Sequence, residues 1–488
     1  MRVSSKKAGA RSGRSRARLV AYRIKKAADR AIFSVTHLFH RDSLSDYPVA
    51  LTGDGAWLVD QQGRRYLDAC GGAAVSGLGH AASAISQAIR EQLDRLAYAH
   101  TSFFSSFPAE TLAERLVAQA PYFGGLPGAR LDRVFIVSSG SEAIEAAIKL
   151  ARQVALERGH HQRTQIIARR QSYHGNTLGA LAVSGNAARR KLFGEFLFPV
   201  QHVSPCYAYR GLQPGETALA YSERLVKELE EKILEVGPDR VLAFFAEPVV
   251  GATLGAVAAT EGYFQGVRQL CDRYGIILIL DEVMCGMGRT GTLFAYEQEH
   301  IQPDMVTIAK GLGAGYQPIA ALMVSKEIHD TIAKGSGAFQ HGQTYVGHPV
   351  ACAAAVAVLD VMQREQLVVP VAAKGTLLMD LLKKAFSNSR AVGDVRGRGL
   401  FVGIELVADQ ESKTPFNPQL RIHAQIKKKA MELGLLCYPM GGTIDGSFGD
   451  HVLLAPPLTI SDAELELIAE RLAAAICQVT ESAGVRTL

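Results

Sequence analysis

A lysine and an aspartate lie at the ends of two apolar segments that follow each other along the chain. Asp281 comes directly after Ile277–Leu280, and Lys310 comes directly after Val306–Ala309. An enzyme that uses pyridoxal phosphate requires both residue types. The lysine amine bonds to the cofactor and later moves protons, and the aspartate keeps the pyridine nitrogen protonated so that the ring can accept electrons. The pair therefore predicts Lys310 and Asp281 as catalytic residues.

A turn rich in glycine and serine supplies a third element. Arg133–Val137 predicts a short buried strand, and Glu142–Arg152 has helical periodicity with acids in its first turn and bases in its last. Between them, Ser138–Ser141 would present free backbone N–H groups and the positive end of the helix dipole, which suit a phosphate. An ordinary serine N-cap has the same pattern. The order of turn, aspartate and lysine along the chain favours the phosphate site.

Further motifs extend this set over most of the chain. They are Ser139–Ala143, Ser172–Gly175, Ala246–Val249, Asp281–Val283, Gly288–Gly291, Ala309–Gly311, His341–Thr344, Val395–Gly397 and Pro456–Leu458. With this order and spacing, from about residue 38 to the last residue, the chain resembles the class III (omega) aminotransferases, which are fold-type-I pyridoxal phosphate enzymes. The resemblance implies an α/β fold, in which a large domain with a mostly parallel sheet is joined by a smaller α/β domain built from both termini.

The resemblance also implies how pyridoxal 5'-phosphate is bound. The residues implied to bind it are Ser139, Gly140, Ser141, Tyr173, His174, Glu247, Asp281, Val283, Lys310 and Thr344. In this arrangement the glycine and serines take the phosphate, the tyrosine and the valine cover the two faces of the ring, and the aspartate pairs with the ring nitrogen.

Three of these roles are described further by the resemblance. Glu247 is expected near the ring hydroxyl and the substrate, where such enzymes often pair it with an arginine. His174 is expected next to the ring, where it orients Tyr173. Thr344 is expected to reach the phosphate of a neighbouring subunit, so the implied assembly is a homodimer, or a dimer of dimers, with shared active sites.

The implied reaction moves an amino group from a primary (omega) amine or amino acid to a keto acid such as pyruvate or 2-oxoglutarate, with ping-pong kinetics. Ornithine-type members carry an arginine where this chain has Leu453, and residues 438–455 contain no arginine. Gly449–His451 resembles instead the omega-amine:pyruvate branch. Arg396 is a candidate for binding a carboxylate, although a structural salt bridge explains it equally well. Small residues near Ala74 predict either a roomy donor pocket or close backbone packing.

Other functions preserve the same cofactor residues. A decarboxylating transaminase, an aminomutase or an amine lyase of the same fold is the main alternative. The pattern Gly286–Gly291 also fits a dinucleotide-binding loop, but the helix start and the following acid that such a loop needs are missing. No metal site is expected, because the seven cysteines are scattered without paired spacing.

The first 28 residues differ in composition from the rest. They carry ten of the 53 basic residues and no acid, so the net charge of +6 arises there. Residues 1–37 are interpreted as a basic extension that is disordered, a mitochondrial presequence or, less favoured, a segment that contacts nucleic acid or an anionic membrane. A cytoplasmic location is expected, with the mitochondrial matrix as the alternative, because scattered cysteines suit a reducing compartment. No apolar stretch is long enough to span a membrane.

The motifs divide the chain after this extension. Residues 38–83 are expected to form the N-terminal part of the small domain, 84–345 the large domain that binds the cofactor, and 346–488 the C-terminal part of the small domain. In 84–345, predicted strands alternate with predicted helices, which is typical of a parallel sheet whose ligand lies at the carboxyl ends of the strands.

Overall fold

The computed structural model describes residues 37–43, 45–126, 128 and 130–484. The interpretation of the basic extension therefore falls, apart from His37, outside the described residues. Within these residues, no helix has both the length and the apolar character needed to cross a lipid bilayer.

A seven-stranded sheet carries the residues that were predicted to do chemistry. Its strands, in spatial order, are β4 (Leu131–Val137), β12 (Ala320–Ser325), β11 (Met305–Ile308), β10 (Ile277–Asp281), β7 (Val241–Ala246), β5 (Gln165–Arg169) and β6 (Gln201–Val203). Strand β12 runs antiparallel to both of its neighbours, and the remaining neighbours pair in parallel. The mostly parallel sheet expected from the sequence is confirmed.

Helices cover both faces of this sheet and pack around the smaller sheets. They are α1 (Ser83–Arg95), α2 (Phe107–Gln119), α3 (Gly140–Glu157), α4 (Leu178–Val183), α5 (Ala187–Arg190), α6 (Ala208–Gly211), α7 (Ala218–Val236), α8 (Tyr263–Tyr274), α9 (Lys326–Lys334), α10 (Pro349–Arg364), α11 (Val371–Ala385), α12 (Ile422–Glu432) and α13 (Asp462–Ser482). A helical turn at Gly71–Ala74 is interrupted by non-helical angles at Gly72 and Ala73.

Smaller sheets combine residues from early and late parts of the chain. One contains β1 (Ala50–Asp54), β2 (Trp57–Asp60), β3 (Arg65–Asp68) and β15 (Leu435–Leu436), and the last of these runs parallel to β3. A second is antiparallel and contains β13 (Val392–Arg398), β14 (Phe401–Leu406), β17 (Asp450–Leu454) and β16 (Tyr438–Gly441). The short strands β8 (Val249–Val250) and β9 (Val257–Ala258) pair with each other.

The central strands are apolar along their whole length because the sheet is buried on both faces. Strands β7, β10 and β11 contain only buried residues. A core that includes Phe244 and Leu280 fills one face, and a core that includes Phe245 and Ile279 fills the other. Alternating side chains along a strand point to opposite faces. This packing fixes the strand ends, and therefore the positions of the polar residues that follow them.

Candidate active site

The predicted residues meet at one edge of the seven-stranded sheet. Asp281 is the last residue of β10, Lys310 lies two residues after β11, and Glu247 follows β7 directly. Tyr173 lies in the loop after β5, and Ser139 precedes α3 after β4. Because neighbouring strands of this part of the sheet run in parallel, their carboxyl ends bring these residues together.

Lys310 lies in the cavity with a strained backbone and an amine that has no partner. Its φ of 44° is in the left-handed region, which side-chain-bearing residues rarely adopt outside functional sites and turns. Among the described residues, no hydrogen bond or ion pair involves its Nζ. Burial lowers the pKa of Lys310 to about 8, although Asp281 and Glu247 act in the opposite direction. Near neutral pH, much more of this amine is therefore in the neutral, nucleophilic form than for an exposed lysine.

Asp281 is held as a hydrogen-bond acceptor at the base of the cavity. His174 Nδ1 lies 2.8 Å from Asp281 Oδ2, and the Val283 N–H donates to Oδ1 at 3.0 Å. The Thr307 hydroxyl donates to the same Oδ1 at 3.3 Å. Both side chains of the His174–Asp281 pair are almost completely buried. The imidazole of His174 therefore contacts the carboxylate of Asp281, and its expected effect on the orientation of Tyr173 stays a prediction.

Glu247 orients Tyr173 through the backbone. Its carboxylate accepts from the N–H groups of Tyr173 and Gly251, each at 3.1 Å. Burial raises the pKa of Glu247, which favours its protonated form. Among the described residues, no arginine forms an ion pair with this carboxylate, and Arg169 donates instead to the backbone carbonyl of Glu247. This correction leaves the cavity with a buried acid that no arginine neutralises among the described residues.

The turn before α3 is both a helix cap and a wall of the cavity. The Ser139 hydroxyl accepts from the Glu142 N–H at 3.3 Å, and the Glu142 carboxylate accepts from the Ser139 N–H at 3.1 Å, which makes a capping box. The Ser141 hydroxyl accepts from the Asn176 N–H at 3.0 Å. Ser139, Gly140 and Ser141 all line the cavity. The positive end of α3 therefore faces the same space as Lys310.

Gly140 is required by the close approach of Val283. An ideal Cβ at residue 140 would lie 3.0 Å from both γ-carbons of Val283, which is tighter than ordinary packing allows. Val283 and Tyr173 both line the cavity. The two side chains suit the faces of a flat aromatic ring, since one is aromatic and the other is branched and apolar.

The cavity has a volume of about 240 Å³. Its walls are Arg41, Ala73, Ser139, Gly140, Ser141, Tyr173, His174, Gly175, Arg189, Glu247, Ala252, Asp281, Val283, Met284, Lys310 and Tyr438. Larger cavities of about 640 and 1020 Å³ lie elsewhere and contain none of the predicted site residues. The chemistry of the lining, rather than the volume, identifies this cavity as the candidate site.

Sequence reasoning missed several residues of this lining. Arg41 and Arg189 bring positive charge, and Met284 and Tyr438 bring apolar surface. Arg189 lies on a helix of four residues that contains no motif. Its only signal in the sequence is the asparagine that precedes the helix, Asn186, which suits an N-cap.

The two residues predicted to bind substrate do not line the cavity. Ala74 is buried in an apolar cluster with Leu453, and its neighbour Ala73 faces the cavity instead. Arg396 pairs with Asp394 at 2.9 Å and with Glu405 at 2.7 Å. The structure therefore favours the salt-bridge interpretation of Arg396, because both carboxylates already occupy its guanidinium.

The Gly449–His451 motif supports the fold rather than the cavity. His451 is completely buried, and its Nδ1 lies 2.7 Å from the Thr443 hydroxyl. Asp450 lies 2.5 Å from His423 Nδ1. Neither residue lines the cavity. The dinucleotide-like segment is also structural, since Arg289 is buried and donates to the Leu400 carbonyl at 3.2 Å.

Thr344 lies outside the cavity of its own chain. The residue is exposed, and its carbonyl accepts from the Tyr98 hydroxyl at 2.7 Å. The structure therefore brings together all the predicted cofactor residues except this one.

Comparison with known proteins agrees with this arrangement. Residues 43–476 match the family described as Aminotransferase class-III. An uncharacterised aminotransferase of Schizosaccharomyces pombe is 42% identical over 441 residues, which cover 90% of this chain and 95% of the relative.

Solved structures of transaminases have the same fold. The crystal structure of a thermostable (S)-enantioselective omega-transaminase from Thermomicrobium roseum superposes with a TM-score of 0.84 at 37% identity, covering 95% of this chain and 98% of that one. The omega transaminase from Pseudomonas jessenii in complex with PMP superposes with a TM-score of 0.84 at 32% identity, covering 94% and 98%.

Proposed function

The chain belongs to the class-III aminotransferase family, and we propose that it moves the amino group of a primary (omega) amine to a keto acid. As a member of this family it is a pyridoxal-phosphate-dependent aminotransferase of fold type I. The observation that carries the choice of site is the unpartnered Lys310 amine, which lies with Asp281 and the positive end of α3 in one cavity.

The residues present fit the cofactor. Gly140 and Ser141 can bind its phosphate. Tyr173 and Val283 flank the space for its ring. Asp281 is placed by three donors so that a free acceptor direction remains for a protonated ring nitrogen. When bound, pyridoxal phosphate supplies an aldehyde that takes up the amino group and a ring that accepts the electrons released at the donor's carbon.

Lys310 Nζ is the group that moves protons. With the cofactor bound, the neutral amine would take a proton from the donor carbon that bears the amino group and would return a proton to the carbon of the cofactor aldehyde group. His174 donates towards the Asp281 carboxylate and keeps it in place, since both side chains are buried. Tyr173, anchored by Glu247, excludes water from one face of the reacting groups.

The amine donor suits the apolar part of the lining. Ala73, Ala252, Met284 and Tyr438 offer no charge for an α-carboxylate of the donor. Leu453, which stands where ornithine-type members have an arginine, is buried and apolar. A primary amine without a carboxylate next to its amino group therefore fits this apolar part of the lining.

We further propose that the enzyme works as a homodimer, or a dimer of dimers, in which Thr344 completes the phosphate site of the partner subunit. An exposed aromatic cluster around this residue supports the proposal. Tyr98 contacts Tyr345 with ring centroids 5.9 Å apart, and His100 contacts Phe103 at 6.0 Å. Phe103 and Tyr345 are 80% and 60% exposed, which is unusual for aromatic side chains that no partner covers.

The division of the chain remains a proposal. We propose a large domain at 84–345 and a small domain at 38–83 and 346–488. The seven-stranded sheet uses only residues of the first range, whereas β15 joins the sheet of β1–β3 across the two parts of the second.

For the compartment we propose the cytoplasm, with the mitochondrial matrix as the alternative, because the scattered cysteines suit a reducing environment.

Tracing of the amino group tests the proposed reaction. The enzyme is incubated with a ¹⁵N-labelled primary amine and pyruvate or 2-oxoglutarate, and the products are identified by mass spectrometry. We expect the label in the amino acid formed from the keto acid and a carbonyl compound formed from the donor. Release of labelled ammonia or of carbon dioxide without a keto acid would instead indicate a lyase or a decarboxylating enzyme.

A further inference from the structure

Three cations line the cavity, and only one of them is committed to the cofactor. They are Arg41, Arg189 and Lys310, and they face the carboxylates of Asp281 and Glu247. A keto acid brings a further negative charge into this space. Once the Lys310 amine is engaged in the chemistry, the two arginines are the cations of the lining that remain for that charge.

Arg189 is the better placed of the two. Its guanidinium carbon lies 4.4 Å from the centre of the Tyr173 ring, so it stacks on the side chain that flanks the reacting groups. The residue is half-buried, whereas Arg41 is exposed, and water weakens the attraction between exposed charges. The positive charge of Arg189 also contributes to lowering the pKa of Lys310.

No acid among the described residues pairs with the Arg189 guanidinium. Within the described ranges, no carboxylate lies within ion-pair distance of it, in contrast to Arg396, which pairs with Asp394 and Glu405. A half-buried guanidinium that lacks a carboxylate in a cavity is a binding site for an external one. Its planar fork of N–H groups matches the two oxygens of a carboxylate.

A chain of hydrogen bonds holds Arg189 in position. The Asn186 side chain accepts from the Arg189 N–H at 3.1 Å and donates to Gln171 Oε1 at 3.0 Å. Gln171 in turn donates to the carbonyls of Gly442 and Thr443 at 2.7 and 3.0 Å. The short helix α5 is therefore fixed to the segment after β5 and to the loop after β16. Tyr173, two residues beyond Gln171, and Tyr438 of β16 line the cavity.

We propose that Arg189 binds the carboxylate of the keto-acid acceptor. This role deepens the proposed function and rests on it. It resolves how an acceptor with a carboxylate is held when the segment 438–455 contains no arginine. It also distinguishes the two substrates. The carboxylate of the acceptor binds at Arg189, next to Tyr173, whereas a donor without a carboxylate uses the same cavity and does not need the charge of Arg189.

The test compares two acceptors that differ in the carboxylate. The holoenzyme is first mixed with a primary amine that has no carboxylate, which converts the cofactor to its amine form. Pyruvate or an uncharged aldehyde is then added, and the rate at which the original absorption band returns is measured. For Arg189→Gln, we expect the pyruvate concentration for half-maximal rate to rise about 10- to 100-fold, the loss expected for charged hydrogen bonds. The loss with the aldehyde should be much smaller, so the ratio of the pyruvate rate to the aldehyde rate should fall by about this factor, because a change at the Lys310 amine affects both acceptors alike.

Two matched variants sharpen the comparison. Arg189→Lys keeps the charge but not the fork, so it should lose affinity for pyruvate by an intermediate factor. Lys191→Gln removes a charge from the residue just beyond α5, which is exposed and outside the cavity, and should leave both acceptors unchanged. As a measurement that needs no turnover, binding of propanoate to the holoenzyme, followed by the cofactor's absorbance, should weaken in Arg189→Gln by a similar factor.

Equal use of pyruvate by Arg189→Gln and the parent would overturn the assignment. An equal loss with pyruvate and with the aldehyde would also overturn it, since the arginine would then support Tyr173 or the cofactor rather than a carboxylate. A parent enzyme that reacts with no amine and no acceptor is a different result, because it would refute the proposed function itself.

Discussion

The Lys310 amine should titrate far below an ordinary lysine in the cofactor-free enzyme. Solvated lysines have a pKa near 10.4, and burial lowers the pKa of Lys310 to about 8. At pH 7 a group with a pKa of about 8 is roughly 9% neutral, and one with a pKa of 10.4 is roughly 0.04% neutral. The neutral, reactive form is therefore more abundant by a factor of about 200.

Competitive acylation measures this difference directly. The enzyme is stripped of cofactor and labelled with trace acetic anhydride between pH 6 and pH 11, and the peptide that contains Lys310 is quantified by mass spectrometry. The exposed Lys383 serves as the internal reference. We expect the labelling of Lys310 to rise with pH and to level off above a midpoint near 8.

Removing a neighbouring charge should shift the pH midpoint of Lys310 labelling, in a direction set by the sign of that charge. Asp281 favours the charged ammonium, so Asp281→Asn should move the Lys310 midpoint to lower pH. Arg189 disfavours the ammonium, so Arg189→Gln should move the midpoint to higher pH. A midpoint at or above 10, or a shift of both variants in the same direction, would refute the claim that burial and these charges tune the amine.

Three further substitutions have defined outcomes. Gly140→Ala places a Cβ against Val283 and should weaken cofactor binding about tenfold or more, measured by fluorescence titration; unchanged affinity would contradict the close approach. Glu282→Ala removes the acceptor of two backbone N–H groups, bonded at 2.6 and 2.7 Å, and should lower the free energy of unfolding by about 2–5 kcal/mol in urea titrations. Ala73→Trp should impair bulky amine donors more than small ones in steady-state assays, and equal losses would show that the residue does not border the donor.

The strand-end residues could be predicted because periodicity locates strand ends. Asp281 and Lys310 follow fully apolar segments, and such segments form buried parallel strands whose carboxyl ends share one edge. The helix predicted over Glu142–Arg152 is longer in the structure, Gly140–Glu157, because the capping box starts it at the turn itself.

Side-chain partners could not be predicted in the same way. The sequence places His174 beside Tyr173, but only the packed loop turns the imidazole towards Asp281. Arg396 was a candidate for binding a substrate carboxylate, but the pairing of β13 with β14 places Glu405 within 2.7 Å of it. Arg189 belongs to no motif, and its position in the cavity depends on a left-handed backbone at Gln171, where φ is 59°, and on a loop more than 200 residues away.

The central claim is that Lys310 carries the amino transfer, and one spectrum tests it. The enzyme loaded with pyridoxal phosphate is mixed with a primary amine, then with pyruvate, and the visible absorption is recorded beside that of Lys310→Ala. We predict that the amine removes the absorption band of the parent enzyme and that pyruvate restores it, while the variant shows neither change on the same timescale. Parallel changes in both proteins, or a parent enzyme that binds no cofactor, would contradict the account.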